Sequence, residues 1–334
     1  MFIDTHAHVN FKAFEADAEV VIKRALGNGV SIVLVGTQID TSRQAVEMAE
    51  KFESLNFKSQ ITPPSPLFGK EGEERGIAVS PSHSASSGHA LAKEGGGGVY
   101  AVVGLHPVHT YSQHLDEEET SFKTREEIFD YEVYSKIANH PLVVGIGECG
   151  LDYFRLPEDS VKREADSVEK IKAKQKDVFI QQIKLANELN KALVIHCRPS
   201  AGTEDAYEDI LKILDTEHLA LSTNHSSFRF EIHSFTGSPT MVMEFVKRGA
   251  FVGLTGIITF DKTGNMKQVV ETVPLERIVL ETDSPYLTPV PHRGKRNEPL
   301  FVKHVAEKVA EIKGVSLDEV EKTTTANARK LFKI

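Results

Sequence analysis

The sequence predicts a single α/β domain of the (β/α)8 TIM-barrel type. Eight short apolar, β-branched runs recur along the chain, and segments with apolar residues at helical spacing lie between them. Several of those segments end in Gly just before the next run, as a helix C-cap should. Strands alternating with helices imply a parallel sheet, and eight repeats of the unit imply a barrel. A length of 334 residues suits one large barrel.

In chain order the strand candidates are "FIDTHAHV", "SIVLVGT", "YAVVGLHP", "LVVGIGECGLDY", "ALVIHC", "FEIHSFTG", "AFVGLTG" and "RIVLETDSP". Helical patterns such as "FEADAEVVIKRALGNG", "KDVFIQQIKLANELN" and "SPTMVMEFVKRG" separate them. Two stretches interrupt the scheme. Residues 58–98, rich in Pro, Gly and Ser without a sustained hydrophobic period, are expected to form a mobile insertion between the second helix and the third strand. The alternating charges of "EDSVKREADSVEKIKAKQ" are expected to form a solvated helical extension before the helix that follows strand four.

Composition narrows the function classes. A formal net charge of -9 argues against binding nucleic acid through a broad basic surface. It leaves room for a nucleic-acid substrate gripped locally by metal ions, whose charge the formal count omits. With two cysteines, Cys149 and Cys197, no disulfide framework is indicated. The N-terminus lacks a signal-peptide pattern and no apolar run approaches a membrane span, so a cytoplasmic location is expected.

Polar residues gather where barrel catalysts arise, at the C-terminal ends of the strands. His6 and His8 lie late in strand one, His106 ends strand three, and Glu148 stands in strand four. His196, His233 and Asp283 follow on strands five, six and eight. Strict alternation puts His6, His8 and Asp4 on one face. A His-x-His pair alone is ambiguous between ligands and hydrogen-bonded histidines. Imidazoles and carboxylates crowded at one barrel mouth call for a compensating charge, which divalent metal supplies. The donor types suit Zn²⁺, Mn²⁺ or Mg²⁺. One arrangement has two metals bridged by Glu148, with His6, His8 and Asp283 on one and His196 and His233 on the other. Cys149 and Cys197 each follow a proposed ligand and are expected to face the helix layer.

The words "IDTHAHVN", "VVGLHP", "GIGECGLDY", "LVIHCR", "IHSFTGS", "LETDSPYLTPVPHRGKRNEP" and "TTTANARKLF" resemble, in order, the TatD family of metal-dependent deoxyribonucleases. The resemblance runs nearly the whole chain outside the two insertions. It implies an amidohydrolase-type barrel, a two-metal site and DNA hydrolysis from the 3′ end of single strands. The family's ligands fall on His6, His8, Glu148, His196, His233 and Asp283. Asp283 also matches the position that activates water, and His106 and Arg198 match positions facing substrate. For Arg293 and Asn297, loop-pinning and substrate contact stay open, as do packing and base-stacking for Tyr153. Ser234 stands where the family often has Cys, and is expected to face away from the site.

The same metals can act on a carbonyl, so deacylation of D-aminoacyl-tRNA, or hydrolysis of a small amide or ester, is the competing enzymatic reading. A degenerate barrel serving only as a binding module is the non-enzymatic one. No membrane association and no obligate protein partner are indicated.

Overall fold

The computed structural model describes residues 1–61, 97–111, 126–154, 156, 168–221 and 228–334. Eight parallel strands are hydrogen-bonded in sequence order. They are β1 (Phe2–Ala7), β2 (Val30–Val35), β3 (Val99–Val103), β4 (Val143–Asp152), β5 (Ala192–Arg198), β6 (Phe230–Ile232), β7 (Phe251–Leu254) and β8 (Ile278–Leu280). Around them run α1 (Ala18–Gly27), α2 (Ile39–Ile61), α3 (Tyr131–Ala138), α4 (Val168–Glu188), α5 (Asp205–Leu221), α6 (Pro239–Lys247), α7 (Asn265–Thr272), α8 (Val302–Lys313) and α9 (Leu317–Phe332). The last strand returns to the first just beyond β8, where Ala7 bridges Ser284 in parallel. There the Asp283 amide donates to the His6 carbonyl (2.9 Å) and the His8 amide donates to that of Ser284 (2.8 Å). These bonds hold the two ends of the sheet together at the mouth.

Local sequence explains the helix boundaries. Ser238 caps α6 by accepting from the Met241 amide, with Pro239 in the first turn, where its missing N–H costs nothing. Ser316 caps α9 in the same way from the Glu319 amide. Past α8 the chain reverses through Gly314 at φ 68°, a left-handed conformation that glycine adopts without strain.

Two apolar layers result. The outer one lies between strands and helices and includes Ile32, Leu34, Ile146, Leu193 and Ile195. The inner one fills the barrel with Ile3, Val33, Val35, Val102, Val144, Val194, Phe251 and Val279. Ala328, Leu331 and Phe332 of α9 join this inner layer, so the C-terminal helix stoppers the barrel at the end away from the mouth. Burying a side chain of the size of Phe332 contributes roughly 1.5–3 kcal/mol.

Strict alternation fails on β1, and the face expected for Asp4 is corrected. Asp4 pairs with Ile32, yet Ala7 pairs with Leu34, so β1 carries one extra residue between them. Because Ile32 and Leu34 both face the outer layer, Asp4 and Ala7 do too, and the bulge turns His6 and His8 inward. The Asp4 carboxylate instead accepts from the Thr282 amide (2.9 Å) and hydroxyl (2.6 Å). A second irregularity on β4, between Ile146 and Cys149, brings Glu148 inward. The segment at 58–98 lies outside the described residues except at its ends, where 58–61 continue α2 and 97–98 lead into β3. Of the charged stretch at 158–175, the part from Val168 onward is the first turns of α4, and the rest lies outside the described residues.

Candidate metal centre

The C-terminal ends of the strands open on a cavity of about 440 Å³. Its polar wall includes His8, His106, His109, Glu148, Asp152, His196, Arg198, His233 and Asp283, and its apolar wall includes Phe11, Ile257, Tyr286 and Leu287. Glu148 stands at the centre. Its Oε1 lies 2.7 Å from His196 Nδ1 and 3.4 Å from His106 Nε2. Its Oε2 lies 3.3 Å from His6 Nε2 and 3.7 Å from His8 Nε2. Asp283 Oδ1 faces the second group, 3.4 Å from His8 Nε2 and 3.7 Å from His233 Nε2.

Glycines make this closeness possible. At Gly150 (φ +141°) a Cβ would sit 2.0 Å from the His196 carbonyl oxygen, so only glycine lets β4 and β5 meet between Glu148 and His196. Beyond β6 and β8 the chain turns sharply, with Ser234 at φ 43° and Asp283 at φ 55°. The strands are shorter than the sequence suggests, and His233 and Asp283 stand on the turns that follow them.

Crowding sets the charge states. Burial works against a charged Glu148, but the imidazoles of His106, His6 and His233 outweigh it and hold the carboxyl well below its usual range. Burial also opposes a charged His233; the Glu281 and Glu148 carboxylates overcome it and push the ring up to about 10. His106 goes the other way, down to about 4, through burial and then the neighbouring His196.

Among the described residues, three sets of potential ligand atoms face this cavity, each within 4.8 Å of one another: His6–His233–Asp283, His6–His8–Glu148 and His106–Glu148–His196. All six residues expected to bind metal therefore converge. The His233 ring lies flat on that of His6, at a centroid distance of 3.5 Å, and its Nε2 stands almost equally far from Asp283 Oδ1 (3.7 Å) and from Glu148 Oε1 (3.8 Å), the oxygen that His196 also meets. Imidazole and carboxylate donors with no Lys or Arg among them fit divalent metal.

The substrate-facing expectations divide. His106 and Arg198 line the cavity, with the Arg198 guanidinium 4.0 Å over the Phe154 ring. Tyr153 is buried, donates to Asp209 Oδ2 (3.0 Å), and carries Lys172 over its ring. This is the packed-aromatic arrangement. Arg293 donates to the Thr288 carbonyl and stacks on Phe260, while Asn297 ties the Thr282 and Tyr286 carbonyls together; both pin the loop after β8. Cys149 packs in the outer layer as expected, while Cys197 packs in that layer and also borders the cavity. Ser234 does not turn away. The turn that begins after Ile232 breaks the alternation, so Ser234 lines the cavity while its amide donates to Glu281 Oε2 (2.9 Å).

Sequence reasoning passed over Asp152, His109, Glu281 and Glu231. Asp152 Oδ2 lies 3.2 Å from His196 Nε2, and Glu281 Oε2 lies 3.1 Å from His233 Nδ1. Three of these were findable, since Asp152 lies four residues beyond Glu148, and Glu281 and Glu231 lie two before Asp283 and His233.

Known proteins agree with this frame. The family model described as TatD related DNase matches residues 3–60 and 70–333. The uncharacterized metal-dependent hydrolase YabD of Bacillus subtilis is 32% identical, with the whole of both chains covered. The 3′-5′ ssDNA/RNA exonuclease TatD of Salmonella typhimurium is 27% identical over 99% of this chain and 98% of its own. Among solved structures, the TatD homologue YjjV of Escherichia coli superposes with a TM-score of 0.68 at 22% identity, covering 100% of this chain and 98% of that one. With eight parallel strands, a histidine- and carboxylate-lined mouth and a family match along nearly its whole length, the chain belongs to the TatD family of metal-dependent hydrolases.

Proposed function

We propose that the chain is a single-domain phosphodiesterase that removes nucleotides from the 3′ end of single-stranded DNA at a centre of two divalent ions, Mg²⁺, Mn²⁺ or Zn²⁺. One observation carries the reading: Glu148 belongs to two separate sets of potential ligands, one through each carboxylate oxygen. A carboxylate so placed suits a bridge. His6, His8 and Asp283 would hold one side and His196 the other, with His106 beside it and His233 within reach of both. Bound there, two divalent ions would supply activation of water and charge stabilisation for the attacking and leaving oxygens.

The protein's own groups would do the rest. Asp283, half-buried among imidazoles, stays ionised: desolvation opposes this, but the hydrogen bond from His8 and the charges of His233 and His8 prevail. It is thus able to take the proton from an attacking water. Arg198 at the cavity wall offers paired N–H donors for phosphate oxygens. Phe11, Tyr286 and Leu287 offer apolar surface for sugar and base. The name of the Salmonella relative supports a single-stranded nucleic-acid substrate. Two buried, unpaired cysteines suit a reducing compartment, and we place the protein in the cytoplasm. Among the described residues no helix is long and apolar enough to cross a membrane.

The test is incubation of purified protein with 3′-labelled single-stranded DNA, RNA of the same sequence, and D-aminoacyl-tRNA, each with Mg²⁺ or Mn²⁺. Release of labelled nucleotide from DNA by the wild type, lost in Glu148→Ala, is expected. Equal degradation by both proteins, or activity on D-aminoacyl-tRNA alone, overturns the reading.

A further inference from the structure

We propose that Glu231 is a positioning residue of the metal centre, accepting a hydrogen bond from Nδ1 of His6 and so fixing which nitrogen that ring presents to the cavity. The inference rests on the metal-centre reading above. Glu231 pairs in register with Val194 on β5 and Phe251 on β7, both of which face the barrel interior, so its side chain points inward beneath the cavity. It is fully buried, and neither carboxylate oxygen has a partner. His6, also fully buried, turns Nε2 toward Glu148 (3.3 Å) and leaves Nδ1 without one. Potential ligand atoms of His6, Glu231 and Glu281 lie within 4.8 Å of one another. An orphaned donor and an orphaned acceptor thus share one sealed space, where leaving either unpaired costs stability.

Glu281 is the other possible acceptor: its Oε1 also lacks a hydrogen-bond partner, but its second oxygen is committed to the neighbouring turn. Its Oε2 receives the Ser234 amide and faces His233 Nδ1. At Gly253 a Cβ would come within 2.2 Å of Glu281 Oε1, so the absent side chain makes room for this carboxylate. Glu281 therefore serves His233 and Glu231 serves His6. The two stacked rings would each be held from behind by their own carboxylate, an arrangement that fixes tautomer and strengthens ligation. A cation in place of the hydrogen bond fits less well, because His6 would then have to give up both ring protons to ligate on two sides.

The experiment uses full-length protein loaded with Zn²⁺, its histidines labelled with ¹⁵N. Wild-type protein should show a slowly exchanging, downfield Nδ1 proton on His6, assigned by its loss in His6→Gln. In Glu231→Ala that proton should move upfield or exchange away, and chelator competition should show Zn²⁺ held about 10–100-fold more weakly. Glu231→Gln keeps an acceptor for His6 and adds a donor for Glu281, so it should retain the proton and most of the affinity. An unchanged His6 proton and affinity in a folded Glu231→Ala protein overturns the inference. Failure of the wild type to bind Zn²⁺ at all would instead overturn the metal-centre reading.

Discussion

The imidazoles of His6 and His233 lie one on the other, ring centroids 3.5 Å apart and planes inclined by 23°. They come from distant parts of the chain, His6 from the bulged end of β1 and His233 from the turn after β6. Two rings held face to face present their Nε2 atoms to the same space, where Glu148 and Asp283 also arrive.

Metal binding should release a proton. His233, pushed up to about 10, carries its proton at pH 7 when no metal is bound. Ligation through Nε2 would remove it, so raising the pH would favour the metal-bound form, at roughly tenfold in affinity per pH unit for each proton released. His106, lowered to about 4, is already neutral at pH 7 and adds none. Calorimetry at pH 7 in buffers of differing ionisation enthalpy should report net proton release; heats independent of buffer would contradict it.

Gly253→Ala should weaken metal binding without touching a ligand. The new methyl would collide with the Glu281 carboxylate, which would withdraw from His233 and the Ser234 amide. Disturbed outer partners typically cost about 10–100-fold in metal affinity or activity. Chelator competition and thermal melting read the two consequences separately, with the affinity loss expected to persist in protein that is still folded.

Arg198→Ala and Arg293→Ala should separate binding from loop support. Arg198 lines the cavity, whereas Arg293 holds the Thr288 carbonyl and stacks on Phe260. On single-stranded DNA, Arg198→Ala should raise KM about tenfold or more, the loss of a charge-assisted hydrogen bond worth roughly 1.5–3 kcal/mol. Arg293→Ala should chiefly lower the melting temperature. The reverse pattern would move substrate contact to the loop after β8.

Asn297→Ala should destabilise the fold by about 2 kcal/mol, because it leaves the Thr282 and Tyr286 carbonyls without their donor. Urea denaturation measures this. A change below about 0.5 kcal/mol would mean that the loop finds other partners.

Much of this was readable from residue order. Periodicity locates the strands and helices because buried faces repeat at their own spacing, and the six clustered donors at strand ends mark the mouth. What misled was backbone irregularity. The bulge before Ala7 separates Asp4 from His6, and the turn after Ile232 brings Ser234 into the cavity, since neither obeys period two. The supporting carboxylates Asp152, Glu281 and Glu231 look like ordinary charged residues in sequence. Only closure of the barrel shows that they are buried behind the histidines they face. The role of α9 as a stopper was hidden for the same reason, because its partners come from strands all around the barrel.

Anomalous diffraction from crystals loaded with Mn²⁺ shows whether Glu148 joins two metals. Two peaks are expected, one on either side of the Glu148 carboxylate, the first near His6, His8 and Asp283 and the second near His196. A single peak, or peaks that leave Glu148 untouched, would contradict the account.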